Sequence, residues 1–182
     1  STMHGRLTTD DGIDVLFVDV ERATSVNQQP PSASGYLFEQ MCVEKSSGLG
    51  FFTLVCYTVG DYILLMSGEV DCKEDRNPPC YVELKLTSSH PKYFAPLPEE
   101  DKRRLWVAME LGGYGKVIRG HRDKFKEVID MIAVEEYDVL SGQLRQKTPQ
   151  SLREELLRRI ERMWRLFDKN PEASFKAADL IG

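Results

Sequence analysis

The chain has 182 residues, of which 41% are hydrophobic and 29% are charged. A chain of this size can bury a sufficient core without disulfides or a structural metal, so we expect one globular domain over residues 1–182. The net charge of −5 argues against a protein that coats duplex nucleic acid through bulk electrostatics. It does not exclude a nuclease, because carboxylates at a catalytic centre add negative charge that a bound metal neutralises locally.

The sequence gives little support for a membrane protein, a secreted protein or a zinc-binding protein. The longest apolar stretch, Tyr62 to Met66, is far shorter than the roughly 20 residues needed to cross a bilayer. The N-terminal residues show no apolar core followed by a small-residue cleavage site, so a secretory signal is not expected. The four cysteines form no Cys-x-x-Cys pair and the three histidines are scattered. We therefore expect reduced thiols in an intracellular protein, nuclear or cytoplasmic.

Hydrophobic patterning in the first half of the chain predicts these elements in order: a strand over Ile13–Val20, a loop over Asn27–Ser32, a helix from Ser34 that ends at Ser46-Ser47-Gly48, and strands over Phe51–Val59 and Tyr62–Ser67. Gly60-Asp61 between the last two strands is typical of a two-residue hairpin turn. Spacing along the helix predicts an apolar face of Tyr36, Leu37, Met41 and Val43.

The second half predicts a loop over Lys73–Pro79, a strand over Cys80–Leu86, a helix over Pro96–Leu111, strands at Val117-Ile118 and Val128–Val134, and a helix from Thr148-Pro149 to Asn170-Pro171. Gly112-Gly113 ends the first of these helices, and the segment through Gly115 is a turn rather than a phosphate loop, because it follows a helix and precedes a strand. The order of elements predicts an α+β fold with a central mixed or antiparallel sheet flanked by helices.

Four residues carry the chemistry. Alternation along a strand places Glu69 and Asp71 on one face, and it places Glu83 and Lys85 on one face of their own strand. If these strands are neighbours, three carboxylates and an ammonium converge. Crowded carboxylates raise one another's pKa unless a hard cation lies between them, and oxygen ligands favour Mg²⁺ or Mn²⁺. A nearby lysine can offset charge on a scissile phosphate.

Asp71, Glu83 and Lys85 resemble the core motif of the PD-(D/E)XK nuclease superfamily, an aspartate followed after a spacer by Glu-x-Lys. A lone Glu-x-Lys pair on a strand is also common as a solvated edge that discourages aggregation. The motif therefore gains weight only from its surroundings.

Three segments, Gly35–Glu39, Gly68–Asp71 and Tyr81–Lys85, stand in the order and approximate spacing of the signature motifs of the DXO-type decapping exonuclease family. The segment Trp106–Arg122 is similar to the helix and strand that follow in those enzymes. The resemblance covers roughly residues 13 to 122.

This resemblance implies a PD-(D/E)XK-like nuclease core that uses Mg²⁺ or Mn²⁺ and acts on RNA 5′ ends, removing incomplete or NAD-type caps or degrading RNA 5′→3′. It implies metal-binding roles for Glu69, Asp71 and Glu83. It also implies that Glu39 either supports a metal ligand or acts on the substrate side, and that Lys85 contacts a phosphate. We take Glu39, Glu83 and Lys85 as the candidate catalytic residues.

The chain departs from the family pattern in two places. Arg6 does not stand in the context of the family's upstream arginine motif. The helix around Trp106 carries Val107, Ala108 and Met109 where the family has a glutamine. Both departures bear on substrate range and turnover more than on metal binding.

Three classes of function stay open: an active hydrolase of RNA 5′ ends, a weak or inactive protein that binds those ends, and a partner subunit of a larger 5′→3′ exoribonuclease. A DNA endonuclease of the same superfamily is a fourth. A basic run could hold an RNA backbone or could be a solvated face; it consists of Lys116, Arg119, Arg122, Lys124 and Lys126. No membrane partner is expected.

Overall fold

The computed structural model describes residues 2–21, 33–43, 51–88, 90–123 and 128–176. The strands in these ranges are β1 Thr2–Asp10, β2 Ile13–Glu21, β3 Phe51–Val59, β4 Tyr62–Val70, β5 Cys72–Glu74, β6 Cys80–Thr87, β7 Lys116–Arg122, β8 Ile129–Glu136 and β9 Glu172–Lys176. The helices are α1 Ala33–Cys42, α2 Glu99–Gly112, α3 Tyr137–Gln143 and α4 Pro149–Lys169, with a 3₁₀ turn at Pro91–Tyr93. The predicted α+β class is confirmed.

The chain divides into two compact units, one formed by Ser1–Pro30 with Arg153–Gly182 and the other by Pro31–Leu152. The expected single domain over residues 1–182 stays a prediction. None of the helices in the described ranges is long and apolar enough to cross a membrane.

The first unit is an antiparallel sheet in the order β2-β1-β9, covered by α4. The ring of Phe167 lies directly over Gly5, where an added Cβ would stand 2.2 Å from it. Phe167 also meets Phe175 of β9 edge to face, with ring centroids 5.1 Å apart. Helix α4 therefore packs on the sheet through a close approach that only glycine permits.

The second unit holds a four-stranded sheet in the order β5-β6-β7-β8 and the separate hairpin β3-β4. Strands β6 and β7 run parallel, whereas β5-β6 and β7-β8 are antiparallel, so the predicted mixed sheet is confirmed. The hairpin turns at Gly60-Asp61 as expected, and β4 continues to Val70. Lys73 and Glu74, predicted to be loop, pair with β6 in the short strand β5.

Two helices cover one face of the four-stranded sheet. The core there joins α2 and α3 to β7 and consists of Leu105, Trp106, Met109, Val117, Leu140 and Leu144. The indole Nε1 of Trp106 donates a hydrogen bond to Ser141 Oγ at 2.7 Å, so its polar group is satisfied inside this core. Helix α2 ends at Gly113, whose φ of 69° lies in the left-handed region, as the sequence predicts.

Helix α1 covers the opposite face, and its predicted apolar face is wrong at three of four positions. Tyr36, Leu37 and Met41 are exposed, while Phe38 is buried against Val82 and Leu84 of β6. Val43, which follows the helix, packs against the same cluster, as expected. The ring of Phe38 packs on β6 and β7 and anchors this short helix. The residues on either side of Phe38 therefore face away from the sheet. The expected loop over Asn27–Ser32 and the helix end at Ser46-Ser47-Gly48 lie outside the described residues.

Candidate functional site

The predicted site residues lie on neighbouring parts of the second unit. Glu39 is on α1, Glu69 is the penultimate residue of β4, Asp71 is the single residue between β4 and β5, and Glu83 and Lys85 are on β6. Glu39 and Glu69 are exposed, whereas Asp71 and Glu83 are partly buried. All five residues therefore belong to the second unit.

Asp71 is the centre of this group. Its Oδ2 accepts a hydrogen bond from the backbone N–H of Leu84 at 2.6 Å, which attaches the end of β4 to β6. Burial is the main reason that the pKa of Asp71 rises to about 6; the charges of Glu83, Glu39 and Glu69 contribute to the rise, and the hydrogen bond from Leu84 opposes it. All four carboxylates are thus close enough to interact electrostatically.

Glu83 and Lys85 lie on the same face of β6, as the alternation predicts. Lys85 Nζ donates to Glu83 Oε1 at 3.0 Å, and the two side chains are 46% and 21% exposed respectively. A pair this exposed adds little to stability. Both groups are therefore available for a ligand at small cost in folding free energy.

The condition that the acid-bearing strands are neighbours in one sheet is not met. Strand β4 pairs with β3, and β6 pairs with β5 and β7, so no ladder of backbone hydrogen bonds joins β4 to β6. The carboxylates come together because β4 leads through Asp71 into β5, which pairs with β6, and because the Asp71 side chain accepts a hydrogen bond from β6.

Glu39 reaches the group through the anchoring of α1. Phe38, its neighbour, packs over Gly120 of β7, where an added Cβ would lie 2.7 Å from the Phe38 ring. The helix thus lies close to the sheet and keeps the Glu39 charge within range of Asp71.

The donor chemistry of this cluster suits a hard divalent cation. Its ligating atoms are carboxylate oxygens only, and their mutual repulsion at Asp71 is the effect that a cation would relieve. In the described ranges, however, no three acidic, histidine or cysteine side chains are close enough together to hold a metal ion as they stand. Glu83 is turned toward Lys85 and Asp71 toward Leu84. The assignment of Glu69, Asp71 and Glu83 as metal ligands stays a prediction.

Sequence reasoning missed Tyr114, which follows Gly113 in the turn before β7. Its hydroxyl donates a hydrogen bond to the backbone carbonyl oxygen of Glu69 at 3.0 Å. Burial raises the pKa of Tyr114 to about 12, and the charges of Glu83, Asp71 and Glu69 contribute to the increase. The only local signal was a tyrosine within a glycine-rich turn, which does not by itself indicate a site.

Two described members of the basic run, Lys116 and Arg119, are held in ion pairs and not on an open cationic face. Arg119 is buried, pairs with Glu135 at 2.5 Å and donates to the carbonyl oxygen of Phe94 at 2.9 Å. Lys116 pairs with Glu74, which raises the lysine's pKa. Lys124 and Lys126 lie outside the described residues. The expectation of an RNA-backbone-binding or solvated face is therefore wrong for Arg119, because this residue is buried in an ion pair with Glu135.

Where the family pattern has a glutamine, the structure has only apolar side chains. Trp106 and Met109 are buried in the core, and Ala108 is exposed on the outer side of α2. This helix consequently offers no amide at that position.

All four cysteines, which fall within the described ranges, are free. Burial raises the pKa of the Cys72 thiol to about 11, with a further contribution from the Asp71 charge, and burial also raises that of Cys42. Both thiols therefore stay protonated at neutral pH and are weak nucleophiles.

A comparison with known families decides the identity of the fold. The family model described as RAI1 like PD-(D/E)XK nuclease matches residues 18–163. This chain belongs to that family. The match spans α1 to α3 with every predicted site residue, and it confirms the recognised resemblance. A search of curated protein sequences gave no match.

Solved structures of Rai1 and Dxo1 proteins share the fold of this RAI1-like nuclease. Rai1 of S. pombe, crystallised in complex with 3′-FADP, has 23% sequence identity and a TM-score of 0.71 over 96% of this chain and 60% of its own. Dxo1 of K. lactis in complex with manganese has 14% identity and a TM-score of 0.57, covering 79% of this chain and 39% of its own. Rai1 of Candida albicans in complex with pU5-Mn²⁺ has 14% identity and a TM-score of 0.51, covering 83% and 52%. The chain thus spans 60% of the length of the S. pombe protein.

Proposed function

We propose that this RAI1-like nuclease is a metal-dependent hydrolase acting on RNA 5′ ends, which removes incomplete or NAD-type caps, degrades RNA 5′→3′, or does both. The observation that carries the proposal is the crowding of Glu39, Glu69 and Glu83 around Asp71, beside Lys85, in a chain of this family. The complexes of the Candida albicans and K. lactis proteins with Mn²⁺, one of them also with pU5, support it.

Glu69, Asp71 and Glu83 would hold the divalent cation, Mg²⁺ or Mn²⁺. When bound, the cation supplies Lewis-acid chemistry, lowering the pKa of a water molecule and offsetting charge on the scissile phosphate. The carboxylates of this chain would bind that cation near the point where the Asp71 side chain meets β6.

Lys85 and Glu39 act on the substrate side. Lys85 shares the face of β6 with Glu83, so its ammonium can contact a non-bridging oxygen of the phosphate held there. Glu39 approaches from α1 and can orient a hydroxyl or a water through its exposed carboxylate.

A direct test incubates the pure protein with 5′-labelled RNA that carries a monophosphate, a triphosphate or an NAD end, in Mg²⁺, Mn²⁺ or EDTA. We expect cleavage with either cation and none in EDTA or in Asp71→Asn. Asp75→Asn, which changes an exposed aspartate in the turn before β6, is the matched control and should cleave normally. Undiminished cleavage in EDTA or by Asp71→Asn would contradict the proposal, and preferential cleavage of a matching DNA strand would favour a DNA nuclease.

The second candidate is a protein that binds RNA 5′ ends without turnover. Two observations favour it: the described carboxylates do not form a ready three-ligand set, and Val107, Ala108 and Met109 stand where the family has a glutamine. Retention of RNA ends by the wild type without cleavage in Mn²⁺ would select this candidate.

A partner subunit of a larger exoribonuclease is the third candidate, and one surface bears on it. The outer face of the β3-β4 hairpin exposes Phe52, Leu54, Ile63 and Leu65, each more than 60% accessible. Exposed apolar patches of this kind mark interaction surfaces in many proteins. Co-migration with a 5′→3′ exoribonuclease in gel filtration, lost on Leu54→Lys, would support this role.

A further inference from the structure

Two proposed metal ligands, Glu69 and Glu83, are carried by different sheets. Glu69 lies on β4, which pairs with β3, and Glu83 lies on β6, in the four-stranded sheet. Ladder hydrogen bonds fix the distance between residues within a sheet, and at this junction they begin only at Cys72 of β5, which lies opposite Val82 of β6. Side-chain contacts between Glu69 and that ladder therefore help to set the separation of Glu69 from Glu83.

Tyr114 is placed to do so. Its hydroxyl donates to the Glu69 carbonyl oxygen at 3.0 Å, while its own backbone N–H donates to the carbonyl oxygen of Met109 at 3.1 Å, in the last turn of α2. Because Tyr114 lies two residues before β7, which is hydrogen-bonded to β6, it connects the hairpin to the sheet that carries Glu83.

Glycines hold the tyrosine ring in this position. At Gly112 an added Cβ would stand 2.2 Å from Tyr114 Cε2, so any larger residue would displace the ring. At Gly68 an added Cβ would lie 3.7 Å from the hydroxyl, in ordinary contact. The ring is thus seated on α2, and the hydroxyl lies at the end of β4.

We propose that Tyr114 is a positioning residue, which holds Glu69 of β4 in register with Glu83 of β6 so that both can bind one divalent cation. The proposal rests on the metal-dependent function proposed above. It assigns a role to a residue that neither the Glu-x-Lys motif nor strand alternation indicates.

The test is calorimetric titration of Mn²⁺ alone into wild type and Tyr114→Phe, which removes the hydroxyl but keeps the ring against Gly112. We expect the Mn²⁺ dissociation constant to increase on the order of ten-fold, as for other groups that orient metal ligands. Tyr137→Phe is the matched control, because it also removes a hydrogen-bonded tyrosine hydroxyl, one that donates to the Glu110 carboxylate outside the cluster. It should bind Mn²⁺ as the wild type does.

Each outcome has a defined meaning. Equal Mn²⁺ affinity in wild type and Tyr114→Phe, or an equal loss in the Tyr137→Phe control, would overturn the role of Tyr114 and leave the proposed hydrolase standing. No Mn²⁺ binding by the wild type would overturn the metal site and this role together.

Folding is checked by the unfolding midpoint in EDTA, which Tyr114→Phe should leave unchanged. If that variant fails to fold, Tyr114→Leu gives a second measurement, with the same loss of affinity expected. Failure of both variants to fold would overturn the assignment in favour of a structural role.

Discussion

Asp71 gives a prediction that needs neither metal nor substrate. Its folded-state pKa of about 6 exceeds the ordinary value of 3.8, because burial and three neighbouring carboxylates disfavour the charged form. The folded protein thus binds this proton more tightly than the unfolded chain does. The ionised Asp71 therefore destabilises the fold above about pH 6, and this cost falls as the pH is lowered toward 4.

The size of the effect follows from the shift. The rise in the pKa of Asp71 from 3.8 to about 6 corresponds to about 3 kcal/mol in free energy of unfolding. Screening by water reduces this effect to about 1–2 kcal/mol, because Asp71 is only partly buried. Asp71→Asn removes the charge but keeps an oxygen that can accept the Leu84 N–H. The variant should therefore be more stable than wild type by about 1–2 kcal/mol at pH 7 to 8.

Urea denaturation in EDTA at pH values from 4 to 8 measures this difference directly. The stability gain of Asp71→Asn should shrink below pH 6 and disappear near pH 4. Asp75→Asn controls for the substitution itself. A variant less stable than wild type at pH 7, or a difference that does not change with pH, would refute the reasoning and make Asp71 a structural residue.

Three further substitutions test the site and its support. Lys85→Ala should keep Mn²⁺ affinity in calorimetry but lower cleavage of 5′-labelled RNA on the order of 10²- to 10³-fold; equal cleavage would make Lys85 a solvated strand residue. Gly120→Ala puts a Cβ 2.7 Å from the Phe38 ring and should lower the free energy of unfolding by about 1–3 kcal/mol in urea titration; unchanged stability would contradict the seating of α1. Gly142→Ala in α3 meets nothing within 4 Å and should leave stability equal or raise it by up to about 1 kcal/mol; a clear loss would mean that α3 is packed differently.

Local patterning predicted the elements whose signals are local. The strands β2, β3, β4 and β6 and the helices α2 and α4 follow from runs of apolar residues and from their Gly or Pro boundaries. Strand β1 was missed although Asp11 and Gly12, both at positive φ, form the kind of hairpin turn that an Asp-Gly pair predicts. The sequence of β1 is mostly polar and lacks the apolar run by which the other strands were predicted.

Strand β9 could not be predicted from local signals. Its partner is β1, with Met3 opposite Phe175, so the evidence for it lies at the other end of the chain. Pairing over such a distance depends on the whole fold and leaves no periodic signature in five residues.

The site shows the same division between local and long-range information. Alternation correctly placed Glu83 and Lys85 on one face, because it depends on β6 alone. It could not show that β4 and β6 belong to different sheets, nor that the Leu84 N–H and the Tyr114 hydroxyl join them. Those contacts depend on tertiary packing.

The central claim is metal-dependent hydrolysis at an RNA 5′ end, and a circular substrate tests it most directly. One RNA sequence is prepared in linear form with a 5′-monophosphate and in circular form without ends, and both are incubated with wild type and Asp71→Asn in Mn²⁺. We predict that wild type degrades only the linear RNA and that Asp71→Asn degrades neither. Degradation of the circle at the same rate, or equal activity of the two proteins, would contradict the account.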